Sequence, residues 1–175
     1  MKTKDIENNL SKYLFTDSTM SICKRFIGAG YSEMDVMKLT QTDYIYEYEL
    51  KISKSDFLNE TKNYDNNIDR RKYWKHQMMN ETFINIKKKY KRKINNIPNK
   101  YYFVCPENLI KIEDLLEYQG LIYINENFEF TIMKEAKYIH KNKINLKTMK
   151  RIIKTLSERD VYDGISRLTY QLKIK

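Results

Sequence analysis

Over residues 44–52, aromatic or apolar side chains alternate strictly with a second, mostly charged set, which predicts a β-strand. A helix should follow at once, because Ser53 precedes Asp56 by the three residues of a capping box. A carboxylate and an ammonium on one strand face indicate either an ordinary amphipathic edge or a functional site. One face carries Tyr44, Tyr46, Tyr48, Leu50 and Ile52. The other carries Ile45, Glu47, Glu49 and Lys51.

Helical and strand patterns are mixed along the rest of the chain. Amphipathic spacing predicts helices over residues 4–15, 53–62, 70–79 and 112–118, and again from 146 onward. Alternating or unbroken apolar runs predict strands over residues 19–27, 33–39, 101–105, 121–124 and 128–132, with turns or breaks at 28–30 and 64–68. This order indicates a mixed α/β domain with a central sheet covered by helices.

Asp35 is the unusual residue of the predicted 33–39 strand, because Met37 and Leu39 share its face. An ionised carboxylate beside apolar neighbours is costly unless it is paired, bound to a metal or solvated at a strand end. A polar turn at 40–43 returns the chain antiparallel to this strand. The hairpin can therefore put Asp35 and Glu49 across from each other, with Lys51 nearby.

Composition is that of an ordinary globular protein. With 175 residues, 41% of them hydrophobic and 32% charged, the chain is expected to form one domain over 1–175 with its own core and a helical C-terminal extension, 146–175. Cys23 and Cys105 are far apart and the chain has two His, which argues against a disulfide framework or a zinc site. Without a signal peptide or an 18-residue apolar run, the sequence predicts a soluble intracellular protein and no membrane partner.

The formal net charge of +10 favours a polyanionic partner, although a genome rich in A and T would also enrich lysine. The densest run, 87–93, holds six basic residues around Tyr90. Such a run is either a solvated segment or a set of contacts to nucleic-acid phosphates. Both interpretations stay open at this point.

A longer string of residues resembles a known family. Asp35, then Glu49-Leu50-Lys51, then Ile52-Ser53-Lys54-Ser55-Asp56-Phe57 opening a helix, is similar to the PD-(D/E)XK nuclease superfamily. Lys75-His76, Tyr102-Phe103-Val104-Cys105-Pro106-Glu107 and Gly120-Leu121-Ile122 follow in the same order. Together they resemble a branch of small stand-alone nucleases assigned to bacterial DNA repair and common in phages. Met34 stands where the name of the superfamily has proline.

The resemblance implies a restriction-endonuclease-like mixed central sheet flanked by helices and a Mg²⁺-dependent (or Mn²⁺-dependent) DNA nuclease in the cytoplasm of a bacterial or phage-infected cell. Asp35, Glu49 and the Leu50 carbonyl would bind the ion, since hard oxygen ligands suit it. Lys51 would orient the attacking water and offset developing charge. Glu7 is a further candidate ligand, although its helix position also fits a solvated carboxylate. Glu47 is interpreted as an ordinary strand residue.

DNA is the expected partner, and a homodimer is compatible with the sequence. The candidate contacts to the DNA backbone are basic residues after the predicted site: Lys54, Lys62, Arg70, Arg71, Lys75 and His76. An isolated histidine such as His76 is more often a surface or packing residue than a catalyst. Two alternatives use the same fold: a module that grips nucleic acid or protein without cutting, and a nuclease that processes RNA.

Overall fold

A computed structural model gives the structure of the protein and describes residues 2–27, 33–61, 70–84 and 97–158, without the side chains of 26, 27 and 70–74. The predicted turn at 28–30, the break at 64–68, the basic run 87–93 and Lys62 lie outside the described residues. The chain divides into two units, Met1–Lys143 and Ile144–Lys175. A nuclease-like domain over 1–175 with a helical extension stays a prediction.

The first unit is built on a mixed sheet. Its described helices are α1 (Thr3–Leu14), α2 (Lys54–Thr61) and α3 (Arg70–Ile84). Its strands are β1 (Thr19–Ile27), β2 (Glu33–Thr40), β3 (Ile45–Leu50), β4 (Lys100–Pro106), β5 (Gln119–Ile124) and β6 (Phe130–Lys134), side by side in that order. The β3–β4 and β4–β5 pairs are parallel, and the other neighbours are antiparallel. The predicted α/β class is confirmed.

The two faces of the sheet have separate cores. On the α1 face, Ile6 and Leu10 of α1 pack with Tyr48, Leu50 and other side chains of the central strands. The opposite face, here called the α2–α3 face, is covered by Phe57 of α2 and by Met78 and Met79 of α3. β4 serves both cores, because its residues 101–105 are buried on both sides, as its unbroken apolar run predicts.

The helix predicted over residues 112–118 is wrong in length, since the structure has one 3₁₀ turn, Ile112–Asp114. Side chains end it on both sides. The Asp114 carboxylate accepts a hydrogen bond from Lys111 N at 3.3 Å, and the Gln119 side chain accepts one from Leu116 N at 2.9 Å. Such local side-chain bonds offer the backbone an alternative to a helical ladder.

In the second unit, residues 146–158 are helical. Asn145 caps this helix, because its side-chain oxygen accepts a hydrogen bond from Thr148 N at 2.9 Å. Among all residues that the structure describes, no helix is both long and apolar enough to cross a lipid bilayer.

Gly120 of β5 lies where a side chain cannot fit. A Cβ atom there would stand 2.3 Å from Tyr102 Cδ1 and 2.9 Å from the backbone nitrogen of Ala136. The Tyr102 ring has little room to move, because it stacks on Tyr48 and its hydroxyl donates to Glu135 Oε2 at 2.6 Å. Gly120 thus sets how closely Tyr102 lies against the sheet.

We therefore expect Gly120→Ala to lower the free energy of unfolding by about 1–3 kcal/mol, the usual effect of overpacking. Urea denaturation monitored by circular dichroism measures it. Thr131→Ala, at an exposed position of β6, is the matched control and should stay within about 0.5 kcal/mol of the parent. Equal stability of the two variants would contradict the close packing of Tyr102 on Gly120.

Candidate functional site

The β2–β3 hairpin brings Asp35 to the end of β3. The ladder pairs Met37 with Glu47 and Val36 with Tyr48, so one further step sets Asp35 across from Glu49. Asp35 Oδ2 accepts a hydrogen bond from Leu50 N at 2.8 Å. The expectation that the hairpin puts Asp35 beside the Glu49–Lys51 segment is confirmed.

The Leu50 carbonyl points toward β2, the strand that carries Asp35. In an extended strand the N–H and C=O of one residue point to the same neighbour, and Leu50 N points toward Asp35. The next residue points the other way, because Lys51 N donates to Val104 O of β4 at 2.9 Å. The Asp35 and Glu49 side chains and the Leu50 carbonyl therefore lie at the same end of the hairpin.

Lys51 extends into the α2–α3 face and is almost fully buried, with 1% of its surface exposed. Its ammonium lies 3.1 Å from Glu49 Oε1 and 2.5 Å from Glu60 Oε2. Asp56 Oδ1 is 3.7 Å away and half-exposed. Three carboxylates, one from β3 and two from α2, thus surround a single buried cation.

The start of α2 explains how these acids reach Lys51. β3 ends at Leu50, and Ser53 caps α2 by accepting a hydrogen bond from Asp56 N at 3.2 Å, as its sequence predicts. Asp56 and Glu60 are four residues apart and so share one face of this helix. That face turns toward Lys51, the residue just before the helix.

Glu60 is the functional candidate that the sequence reasoning missed. Its Oε1 accepts hydrogen bonds from His76 Nε2 at 2.7 Å and from the Tyr101 hydroxyl at 3.0 Å, while its Oε2 meets Lys51. Burial, followed by the charge of Glu60, raises the pKa of Tyr101 well above its ordinary value. The signal that could have found Glu60 is the spacing of two acids by four residues directly after the lysine.

Glu47 is not an ordinary strand residue, and that interpretation is wrong. Its side chain is fully buried and forms an ion pair with Lys75 of α3, whose ammonium also lies 5.3 Å from the centre of the Tyr101 ring. Burial, together with repulsion from Glu49 and Glu60, outweighs the attraction of Lys75 and raises the pKa of Glu47 to about 7. Burial lowers the pKa of Lys75, but the three carboxylates more than offset it and raise that pKa.

The prediction that Lys75 and His76 contact a DNA backbone is also corrected. Both side chains are buried; the Lys75 ammonium bonds Glu47, and His76 Nε2 bonds Glu60, within the α2–α3 face. The His76 ring packs edge to face on Tyr101, with 5.1 Å between ring centres. These residues hold the acids near Lys51 rather than a phosphate at the surface.

The other predicted nucleic-acid contacts have different positions. Lys54 is exposed, and its ammonium pairs with Asp114 Oδ2 at 2.6 Å. Arg70 and Arg71 begin α3, but their side chains, like Lys62 and the run 87–93, lie outside the described residues. Lys54 is therefore the one member of the predicted set whose described side chain is at the surface.

Glu7, the tentative fourth ligand, is buried in α1, and its carboxylate pairs with Arg25 at 3.5 Å. The β1–β2 ladder pairs Lys24 with Val36 and residue 26 with Met34, which sets Arg25 across from Asp35. Arg25 has a φ of 49°, in the left-handed region. The described contacts thus link Glu7 to the hairpin through Arg25.

The residues at the hairpin end fit Mg²⁺ as an incomplete set of ligands. Among the described residues, no group of three or more His, Cys, Asp or Glu side chains is arranged to hold a metal ion. Mg²⁺ often needs only one or two protein carboxylates, since it keeps several of its waters. Asp35, Glu49 and the Leu50 carbonyl supply oxygen atoms of the kind that this ion prefers.

Comparisons with known proteins bear on the fold alone. No family model matches the chain, and a search of curated proteins gives no match. A solved structure, the SPO1766 protein of unknown function from Silicibacter pomeroyi, is similar with a TM-score of 0.58 at 16% sequence identity. The alignment covers 93% of this chain and 89% of that chain. At this identity the likeness shows a shared fold.

The raised pKa of Glu47 predicts a specific dependence of stability on pH. The folded protein binds this proton more tightly than the unfolded chain, where the pKa is 4.5. Ionising Glu47 therefore costs stability as the pH rises from 4.5 to about 7. Relative to the parent, Glu47→Gln should gain stability across this window and then level off.

Urea unfolding of the parent and of Glu47→Gln at several pH values between 4 and 8 measures this difference. The comparison cancels the titration of the acids that do not interact with Glu47. A difference that stays constant across the window would mean that Glu47 titrates normally in the folded protein.

Proposed function

We propose that the chain is a Mg²⁺-dependent DNA nuclease of the restriction-endonuclease-like fold, acting in DNA repair, recombination or phage DNA metabolism. The observation that supports this most is the hydrogen bond between Leu50 N and Asp35 Oδ2, because it joins Asp35 to the Glu49-Leu50-Lys51 segment. These are the residues that the resemblance to PD-(D/E)XK nucleases assigns to catalysis. The mixed six-stranded sheet of the described chain is compatible with that fold.

The chemistry required is hydrolysis of a phosphodiester, in which water attacks phosphorus and the bond from phosphorus to one of its two ester oxygens breaks. Asp35, Glu49 and the Leu50 carbonyl would hold Mg²⁺, which would supply electrostatic stabilisation of the charge that builds on the phosphate oxygens. Lys51 holds a positive charge beside Glu49, where it can orient the attacking water and offset negative charge. Glu60, which bonds Lys51, His76 and Tyr101, is the positioning residue for that ammonium.

Exposure determines how a phosphate reaches these residues. Asp35 is partly exposed, whereas Glu49 and Lys51 are buried. We therefore expect the scissile phosphate to approach from the Asp35 edge of the hairpin. Lys54, exposed at the start of α2, is a candidate contact for the flanking strand once its pairing with Asp114 opens.

Asp35→Asn is the sharpest variant for testing cleavage. It removes the charge but keeps an oxygen that can accept the hydrogen bond from Leu50 N, so the hairpin should stay folded. Lys51→Ala would instead leave Glu49 and Glu60 buried without their shared cation, at a cost of roughly 3–5 kcal/mol. A loss of activity in Lys51→Ala is therefore informative only beside a measured unfolding curve.

Purified protein with Mg²⁺ or Mn²⁺ should cut at least one of duplex, branched or single-stranded DNA. Asp35→Asn should reduce the rate by roughly 100-fold or more. Asp17→Asn, an identical change at an exposed position, is the control and should leave the rate unchanged. Parent and Asp35→Asn that are equally inert on every DNA would overturn the proposal, and preferential cleavage of RNA would reassign it to RNA processing.

A second candidate function, a module that binds without cutting, is favoured by the enclosure of Lys51 between Glu49 and Glu60. An ammonium held in this way is also what a purely structural ion pair requires. Such a module should bind nucleic acid without metal and lose affinity steeply with salt. Binding that is unchanged in Asp35→Ala, measured by fluorescence anisotropy without cleavage, would favour this function over the nuclease.

A further inference from the structure

The tyrosines of β3 form part of a second feature, on the α1 face and away from the candidate nuclease residues. Tyr46 and Tyr48 of β3 and Tyr102 of β4 line a cavity of about 350 Å³, with Lys38, Lys100 and Glu135 also in its wall. Side chains two residues apart in a strand share a face, whereas Glu47 and Glu49 alternate to the other side. The cavity and the acids therefore lie on opposite sides of the sheet.

Two rows of side chains that cross the strands build the cavity. In the first row the ladder pairs Lys38 with Tyr46, and Tyr46 with Lys100. In the second row it pairs Tyr48 with Tyr102, whose rings stack 5.1 Å apart and 11° from parallel. The two stacked rings cover each other's faces, so the tyrosine wall beside the two lysines presents ring edges to the cavity.

Lys38 has an unusual environment for a lysine. Only 8% of its surface is exposed, and its ammonium donates a hydrogen bond to Thr16 Oγ1 at 3.3 Å. No carboxylate among the described residues pairs with it, whereas Lys100 pairs with Glu135 at 3.6 Å. Burial lowers the pKa of Lys38, and no neighbouring acid offsets that effect.

A buried ammonium without an acidic partner is costly, and an anion bound in the cavity would remove much of that cost. The tyrosine wall sets a second requirement, because the edges of aromatic rings favour the face of a flat aromatic partner. The volume is at the lower end of the range for clefts that hold small organic molecules. These features select a planar ring system that carries an anionic group.

We propose that this cavity binds a nucleoside monophosphate, with its base against Tyr48 and Tyr102 and its phosphate at the Lys38 ammonium. The same chemical group occurs as a free nucleotide and as the 5′-phosphorylated end of a DNA strand. The proposal does not rest on nuclease activity, because the site uses none of the residues assigned to cleavage.

Isothermal titration calorimetry of the full chain tests it, with deoxyadenosine and thymidine 5′-monophosphates as ligands. Deoxyadenosine, thymidine and inorganic phosphate are the partial ligands, and a short 5′-phosphorylated oligonucleotide with its unphosphorylated twin tests the strand end. We expect a monophosphate or the phosphorylated end to bind, and every ligand lacking base or phosphate to bind at least about tenfold more weakly.

Lys38→Met should weaken the binding by about tenfold or more, since it removes the charged partner of the phosphate. Lys111→Met, the same change at an exposed lysine, should not alter it. Without ligand, Lys38→Met should unfold at the same temperature as the parent or higher, because it removes a buried charge. Lys38→Gln is the second variant if the methionine variant does not fold.

Three results would overturn the proposal. One is that neither the monophosphates nor the phosphorylated end binds. The second is that phosphate alone binds as tightly as the nucleotide, which would mean that the tyrosine wall plays no part. The third is that Lys38→Met either binds as the parent does or loses binding together with a lower unfolding temperature. A lower unfolding temperature would identify Lys38 as a structural residue.

Discussion

The ion pairs of Lys51 with Glu49 and Glu60 are the interaction on which the α2–α3 face depends. They connect the end of β3 to α2, and Glu60 extends the connection to His76 of α3 and Tyr101 of β4. Buried ion pairs often add little net stability compared with well-packed apolar residues, yet breaking one costs several kcal/mol. Their main effect is to fix where α2 and α3 lie on the sheet.

This arrangement also concentrates charge in one place. Glu47, Glu49 and Glu60 are buried on the same face, balanced by Lys51 and Lys75, with His76 beside them. A face that needed only stability would be expected to use apolar residues, as the α1 face does around Val36 and Leu50. Clustered buried acids and perturbed pKa values are typical of functional sites, which is why this face holds the candidate site.

Local patterns predicted much of the fold. The strict alternation over 44–52 and the unbroken apolar run over 101–105 correspond to β3 and β4, because strand period and burial are written directly in the side chains. The hairpin contact of Asp35 was also predictable, since a short turn leaves few registers open. The 112–118 helix was overpredicted because the capping side chain of Asp114 and the turn at Gln119 compete with helix propensity.

The burial of Glu47, Lys75 and His76 was not predictable in the same way. Nothing within β3 separates Glu47 from Glu49. The docking of α3, whose Lys75 lies 28 residues after Glu47, provides the partner of Glu47. Charge alone suggested that Lys75 and His76 lie at the surface, because isolated basic residues are mostly exposed. Their acid partners are on other elements, so only the tertiary structure reveals the pairing.

The opposite character of the two faces of β3 has a consequence for how the protein folds. A shift of one residue in the pairing of β3 would turn Glu47, Glu49 and Lys51 toward α1 and Tyr46 and Tyr48 toward α2 and α3. Glu47 would lose Lys75 and Lys51 would lose Glu60, and bulky rings would enter a core that holds carboxylates. The alternation therefore makes a shifted register of β3 energetically unfavourable during folding.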